Sequence, residues 1–235
     1  MFIIKLANLK IKINNNFSYL SNLCKDYIVD SSSYDFEISV SQEEIIEERI
    51  SSNLDKTDGY IESICCYRKI ANILPSFDAF VLHAAVVEVD GGAYGFLAKS
   101  GVGKTTHIKL WKKLLGNNLT FLNGDKPIIR IINNTPVAFG TPWCGKENYG
   151  TNTFAYLKSL TFIERSMDNK IEDLDKANVI KRLIHQVFLP SDEVLSIKTL
   201  DLLNQTILSI NTYILYCNQD ISSAELAYKK LKVLS

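Results

Sequence analysis

The sequence lacks an excess of charge of either sign, because its 235 residues contain 26 lysines and arginines against 26 aspartates and glutamates. Proteins that bind nucleic acids or anionic membranes usually carry a basic excess. We therefore expect neither a nucleic acid nor a membrane as a partner.

Cysteine pairs with a recognisable spacing are also missing. The five cysteines are Cys24, Cys65, Cys66, Cys144 and Cys217, and none of them forms a C-x-x-C arrangement. The pattern therefore indicates neither a disulfide framework nor a zinc ribbon. Reduced thiols in a cytoplasmic compartment are the simplest interpretation.

Long hydrophobic runs are absent too, and no stretch approaches the roughly 18 apolar residues that a membrane-spanning helix needs. Residues 1–16 are apolar but are interrupted by Lys5, Lys10 and Lys12, and they contain no small-residue cleavage site. They predict no secretion signal. Hydrophobic residues make up 46% of the chain and charged residues 22%, which is the balance of a globular protein with a sizeable core.

Hydrophobic periodicity changes near Pro75. Residues 1–75 mix short strands with helices, including a capping box at Ser41 and Glu44 and an amphipathic helix over 58–74. From residue 76 onward a strand over 80–89 turns back at 90–92 into a second strand. We predict an α/β fold with a mixed sheet in a core of residues 76–235, preceded by a small α+β segment of residues 1–75.

The remaining predicted elements alternate along the core. The expected strands are 119–122, 127–132, 136–139, 159–163 and 213–216, and the expected helices are 105–115, 176–188, 191–210 and 223–232.

The strongest motif follows the second strand of that hairpin. It fits [A/G]-x-x-x-x-G-K-[S/T], and we call residues 98–106 the phosphate loop. Its members are Ala98, Lys99, Ser100, Gly101, Val102, Gly103, Lys104, Thr105 and Thr106. The glycines let backbone N–H groups surround an anion, and the helix that follows presents its positive N-terminal end to it. Lys104 can reach phosphate oxygens, and the Thr105 hydroxyl is placed to coordinate Mg²⁺. The alternative is a chance match in a glycine turn, but the flanking strand and helix favour nucleotide binding.

Asp125 follows the next predicted strand. A carboxylate at that position could hold Mg²⁺ beside Thr105 or accept a proton from an attacking hydroxyl. The alternative is an ordinary turn aspartate in the sequence Asn123-Gly124-Asp125.

Three further residues are candidates for the catalytic site. Lys146 could neutralise charge on a transferred phosphoryl group, and Glu147 could bind metal or act as a base. Their alternative is an exposed ion pair of little value. His83 could be a proton-relay partner near the phosphates or a core histidine at the start of a strand.

Residues 83–106 resemble the core of HPr kinase/phosphorylase and its relatives, which share a nucleotide-binding core with phosphoenolpyruvate carboxykinase. The segments NGDKP (123–127) and GTPWCGKENYGTN (140–152) resemble small HPr-kinase-related proteins found beside bacterial peptide-modifying gene clusters. The resemblance implies that Lys104 and Thr105 hold phosphate and metal and that Asp125 is one of an acidic pair. The other member is missing because Gly124 occupies its position.

The resemblance implies an ATP- and Mg²⁺-dependent kinase that acts on a hydroxyl, a serine above all, of a peptide or small protein, with a homo-oligomer as a further expectation. A second hypothesis is a nucleotide-binding regulatory or peptide-carrier module that transfers no phosphate, which the missing acidic neighbour at 124 favours. A small-molecule kinase or a decarboxylating enzyme is a third interpretation.

Overall fold

The computed structural model describes residues 1–99 and 101–232. Within these residues the chain forms twelve strands and seven α-helices. The strands are β1 (Phe2–Leu6), β2 (Leu9–Asn14), β3 (Phe36–Ser39), β4 (Ala79–Val81), β5 (Ala85–Val89), β6 (Gly92–Leu97), β7 (Leu119–Asn123), β8 (Ile128–Ile132), β9 (Thr135–Phe139), β10 (Phe154–Arg165), β11 (Lys170–Asp173) and β12 (Asn211–Cys217). The helices are α1 (Ser18–Leu23), α2 (Gln42–Ser52), α3 (Asp58–Ile73), α4 (Lys104–Leu115), α5 (Lys176–Leu183), α6 (Glu193–Ser209) and α7 (Ile221–Lys232). The mixed α/β class predicted from the sequence is confirmed.

The N-terminal strands form a separate three-stranded sheet in the order β1-β2-β3, with β1 antiparallel and β3 parallel to β2. Helix α2 begins with the predicted capping box, in which Ser41 accepts from the Glu44 amide and the Glu44 side chain accepts from the Ser41 amide. Helix α3 buries the stripe of apolar residues that its spacing predicts, including Ile61 and Ile70.

A nine-stranded mixed sheet dominates the rest of the chain. Seven strands run in the order β4-β8-β9-β10-β6-β5-β7, while β12 pairs with β10 and with β11. Strand β10 is parallel to both β6 and β12, and the hairpin β5–β6 and the β5–β7 pair are antiparallel. The predicted antiparallel hairpin before the phosphate loop is therefore confirmed.

Apolar side chains cover both faces of the large sheet. One face packs against α5 and α6 around Leu160 and Leu203, and the other packs against α4 and α7 around Phe96 and Trp111. A third cluster joins the N-terminal sheet and α3 to β4, β8 and β9, because Ile61 and Ile128 belong to the same core. The division at residues 75 and 76 stays a prediction, since this core continues across it.

Several predicted bounds were wrong for reasons of long-range pairing. The strand expected over 80–89 is interrupted between β4 and β5, where the amides of Leu82, His83 and Ala84 donate to the carbonyls of Pro127, Gln186 and Asp125. The two pieces have different partners, because β4 pairs with β8 while β5 pairs with β6 and β7. The predicted end of the helix at Pro75 is confirmed, because α3 ends at Ile73 and only a 3₁₀ turn, Leu74–Phe77, follows it. Strand β11 was not predicted because its pairing with β12 leaves it largely exposed.

All five cysteines are free and buried. Within residues 1–99 and 101–232, no helix combines the length and the apolar character that crossing a bilayer requires.

Candidate functional site

Four neighbouring strands of the large sheet bring the candidate residues to one edge. Strands β10, β6, β5 and β7 are adjacent in that order, and β10 and β7 run in the same direction as β6 while β5 runs opposite. The residues that follow β6 and β7, and those that precede β5, therefore meet at one edge. This order places His83, Lys104 and Asp125 side by side, although 42 positions (125 − 83) separate His83 from Asp125 in the sequence.

The phosphate loop has the backbone that its glycines predict. Gly101 has a φ of +78° and Gly103 has a φ of +134°, and residues other than glycine rarely adopt these conformations. A Cβ atom on either glycine would meet nothing within 4 Å. Helix α4 begins at Lys104, within residues 98–106, and Ser100 lies outside the described residues.

Lys104 of the phosphate loop contacts two other residues that the sequence predicts for the site, Ala98 and His83. Lys104 Nζ donates to the Ala98 carbonyl at 3.2 Å and lies 3.0 Å from His83 Nε2. The same His83 nitrogen lies 3.2 Å from Asp125 Oδ1. One ring nitrogen donates to the carboxylate when it carries a proton and accepts from the ammonium when it does not. Lys104, His83 and Asp125 therefore form a proton-sharing cluster.

The charges in this cluster shift two pKa values. Burial lowers the pKa of Lys104, whose exposed fraction is 9%, and the negative charge of Asp125 acts in the opposite direction. Burial acts to raise the pKa of Asp125, but the hydrogen bond from His83 and the charges of Lys126, His83 and Lys104 outweigh it. The pKa of Asp125 is lowered as a result, so its carboxylate is ionised at neutral pH.

Asn123 holds the backbone that carries Asp125. Its Oδ1 accepts from the amides of Asp125 and Lys126 at 2.8 and 2.7 Å. Its Nδ2 donates to the carbonyl and hydroxyl oxygens of Thr141, and the side chain is fully buried. An asparagine that bonds its own following backbone makes a tight turn. Residues 123–126 therefore form a turn, and the turn presents Asp125 to His83.

Residues 140–150, the 140–150 loop, pack directly against that turn. A Cβ atom on Gly145 would lie 3.0 Å from the Cβ of Asp125, and Gly145 has a φ of +84°. A Cβ atom on Gly124 would lie 2.9 Å from the Cys144 carbonyl and 3.3 Å from Tyr149. The turn has no room for a second carboxylate at position 124 while the loop lies there.

The other predicted residues of this loop lie on its exposed side. Glu147 forms an ion pair with Lys109 of α4 at 3.0 Å, and both side chains are about half exposed. Lys146 is exposed and follows Gly145, the residue beside Asp125. Trp143 stacks on Tyr67 with ring centres 4.3 Å apart and donates to the Ser63 carbonyl, so it packs against α3.

Arg165 is a neighbour of the phosphate loop that the sequence did not identify. It is the last residue of β10, and its guanidinium donates to the carbonyls of Gly101 and Val102. An arginine 61 positions after Lys104 (165 − 104) carries no local signal of this contact. Only the parallel pairing of β10 with β6 brings the two together.

The two metal ligands that the sequence predicts, the Thr105 hydroxyl and the Asp125 carboxylate, are both partly exposed. Among residues 1–99 and 101–232, no group of three or more histidine, cysteine, aspartate or glutamate side chains could hold a metal ion. Mg²⁺ in nucleotide sites usually takes one or two protein oxygens and completes its shell with phosphate and water. One hydroxyl and one carboxylate fit that pattern and do not fit a cage made of protein alone.

Comparisons with known proteins add little to this geometry. No family model matches the chain, and no curated protein matches it. Among solved structures, the chain is similar to the HPr(Ser) kinase/phosphatase from Coxiella burnetii, with 9% sequence identity and a TM-score of 0.34 over 65% of this chain and 93% of that one. A similarity at this level carries no argument, so the proposals below rest on the residues of the site.

Proposed function

We propose that the chain is an ATP-dependent kinase of the HPr-kinase-like type that transfers the γ-phosphoryl group to a hydroxyl, a serine above all, of a peptide or small protein. The observation that carries the proposal is the cluster of Lys104, His83 and Asp125 at the mouth of the phosphate loop. A cation, a shared proton and a carboxylate at one point meet the needs of phosphoryl transfer, which depends on positioning and charge more than on covalent chemistry.

The phosphate loop supports the nucleotide part of the proposal. A Cβ atom on Gly101 or Gly103 would meet nothing within 4 Å, and α4 begins at Lys104 without a side-chain cap. The N–H groups in the first turn of a helix have no partner within the helix, so they suit an anion. Lys104 now donates to the Ala98 carbonyl and contacts His83. In the kinase it moves to the β- and γ-phosphate oxygens, which replace those contacts with a stronger charge-assisted pair.

Thr105 and Asp125 would hold the magnesium ion of Mg·ATP. The ion, when bound, supplies charge that stabilises the phosphates during transfer. Lys104 and Lys146 would add the remaining positive charge, Lys146 from the turn that lies against Asp125.

Asp125 is the proposed acceptor of the substrate proton. The serine Oγ forms a bond to the γ-phosphorus as the bond from that phosphorus to the β–γ bridging oxygen breaks, and ADP leaves. The hydroxyl proton passes to Asp125, with His83 positioned to share it at 3.2 Å. The exposed fractions of His83 and Asp125 are 37% and 30%, so an acceptor on a macromolecule can approach them.

The test is transfer of the γ-phosphate. The protein is incubated with Mg·ATP and a set of serine-containing peptides, and every species is weighed by mass spectrometry. Wild type is expected to add one phosphate to a peptide, and Asp125→Asn to lower the rate by about 10²–10⁴-fold. Asp173→Asn is the matched control, because Asp173 forms an ion pair with Lys230 away from the loop. Equal rates for wild type and Asp125→Asn would overturn the role of Asp125.

A second candidate is a nucleotide-binding regulatory or peptide-carrier module without transfer. The observation in its favour is Gly124, where the packed 140–150 loop leaves no room for the second carboxylate of an acidic pair. Mg·ATP that binds and stays intact with every peptide tested would support the module and overturn the kinase.

A further inference from the structure

The guanidinium of Arg165 is held against the outer side of the phosphate loop. Its Nε donates to the Val102 carbonyl at 3.1 Å and its Nη2 donates to the Gly101 carbonyl at 2.6 Å. These two bonds use the forked shape of an arginine, which a lysine cannot reproduce. The side chain comes from β10, on the side of the loop opposite to β5 and β7.

The two bonds fix the orientation of peptide planes in the loop. In a trans peptide the carbonyl oxygen of one residue and the N–H of the next point in opposite directions. The bond to Val102 therefore turns the Gly103 N–H away from Arg165, and away from β10. The Val102 N–H, on the other plane, donates across the loop to the Lys99 carbonyl at 3.2 Å.

Without these bonds the glycines at 101 and 103 would leave the loop free to adopt many backbone conformations. When a loop must become ordered as its ligand binds, the free energy of ordering is subtracted from the binding free energy. Holding the carbonyls in advance removes part of that cost.

We infer that Arg165 is a positioning residue that prearranges the phosphate loop by fixing the carbonyls of Gly101 and Val102, so that the Gly103 amide is already oriented away from β10 before a nucleotide binds. The inference rests on the proposed nucleotide site. Arg165 acts through backbone carbonyls and not through contact with the reacting atoms, so it is not a catalytic residue.

The experiment measures Mg·ATP affinity by isothermal titration and the kcat and KM of peptide phosphorylation for four proteins. They are wild type, Arg165→Ala, Arg165→Lys and the matched control Arg182→Ala, in which an arginine is lost from an ion pair with Glu164, the residue beside Arg165. We expect Arg165→Ala to raise the Kd and KM for ATP about tenfold, the size of a lost charge-assisted bond, with kcat nearly unchanged. Urea unfolding verifies that each variant folds.

The lysine variant separates positioning from charge. A positioning role predicts that Arg165→Lys stays several-fold weaker than wild type, because lysine keeps the charge and loses the fork. Full recovery by lysine, or an affinity of Arg165→Ala equal to wild type, overturns the inference while the nucleotide site stands. If Arg165→Ala does not fold, the lysine variant alone decides.

The affinity arm is independent of phosphate transfer. A wild-type protein that binds Mg·ATP without transferring phosphate would overturn the kinase proposal and still decide the role of Arg165. A wild-type protein that does not bind Mg·ATP overturns both.

Discussion

The phosphate loop and the 140–150 loop both carry glycines and both lie at the same edge of the large sheet, but the space around their glycines differs. In the phosphate loop, a Cβ atom on Gly101 or Gly103 would have no neighbour within 4 Å. Glycine is needed there for its positive φ and not for its small size.

In the 140–150 loop, glycine is needed for its small size. A Cβ atom on Gly140 would lie 1.9 Å from the Thr151 carbonyl oxygen, and one on Gly150 would lie 2.9 Å from the Cys144 Cβ. Neither residue has a positive φ. The comparison separates a loop whose glycines have open surroundings from a loop whose glycines are packed against the backbone and against the turn that carries Asp125.

The largest expected effect comes from Gly140→Ala in the packed loop. The added methyl would collide with backbone oxygens of Thr151 and Leu122, which cannot move as a side chain can. We expect the free energy of unfolding to fall by about 3 kcal/mol or more. Urea denaturation measures it.

The control for that variant is Gly91→Ala in the β5–β6 hairpin. Gly91 has a φ of +79° and open space around its Cβ position, so alanine costs only the backbone strain of about 1–2 kcal/mol. A loss at position 140 no larger than that at position 91 would show that the 140–150 loop yields easily and would remove the contrast between the two loops.

The next largest effect is a pH dependence of stability that arises from His107 in α4, the helix in which the phosphate loop ends. His107 in α4 is buried, accepts a hydrogen bond from Trp111 Nε1, and has no partner for its Nδ1 among the described residues. Burial lowers the pKa of His107 to about 4. In the unfolded chain the imidazole has a pKa of about 6.5, so between about pH 4 and 6.5 it is protonated in the unfolded chain and neutral in the folded one. The free energy of unfolding therefore rises with pH over that range.

We expect this residue to make the protein about 2 kcal/mol less stable at pH 5 than at pH 7.5, from the linkage of those two pKa values. His107→Gln keeps an acceptor for Trp111 and removes the titration. The difference in unfolding free energy between wild type and this variant should therefore change between the two pH values. If the difference in unfolding free energy between wild type and His107→Gln is the same at about pH 5 and pH 7.5, the His107 imidazole is protonated to the same extent in the folded and unfolded chains, and water reaches it in α4.

The smallest effect on stability is expected from Gly103→Ala in the open loop. Because Gly103 has a φ of +134° and no neighbour to collide with, the added methyl strains only the local backbone. We expect the free energy of unfolding to fall by about 1–2 kcal/mol, the same backbone strain as at Gly91, because neither methyl meets a neighbour. Mg·ATP affinity should nevertheless fall about tenfold or more, because strain displaces the amides that surround the phosphates.

Titration calorimetry and urea denaturation of the same Gly103→Ala sample compare the two effects. Unchanged affinity, or a loss of stability as large as that of Gly140→Ala, would contradict the assignment of the phosphate loop as the open, ligand-binding one.

Local features were predictable wherever a pattern is completed within a few residues. The capping box at Ser41, the amphipathic helix α3 and the hairpin turn before β6 follow from short-range backbone and side-chain chemistry. The strand–loop–helix order around Lys104 was also predicted, because the flanking apolar strand and the start of α4 are local.

Features that depend on distant partners were not predictable. The break between β4 and β5 separates two strands with different partners, because β4 pairs with β8 while β5 lies between β6 and β7. The packing of Trp143 on Tyr67 and the pairing of Glu147 with Lys109 likewise join segments that no local pattern connects. The residue types alone predicted neither contact.

The glycine-lysine-threonine loop and the elements on either side of it could be predicted from the order of the amino acids, because a loop of consecutive residues carries its own backbone requirements. The contacts that link His83, Asp125 and Arg165 to that loop and its lysine emerge only when the whole chain folds. Their positions follow from the strand order β10-β6-β5-β7, and strand order is set by long-range pairing and the burial of both sheet faces.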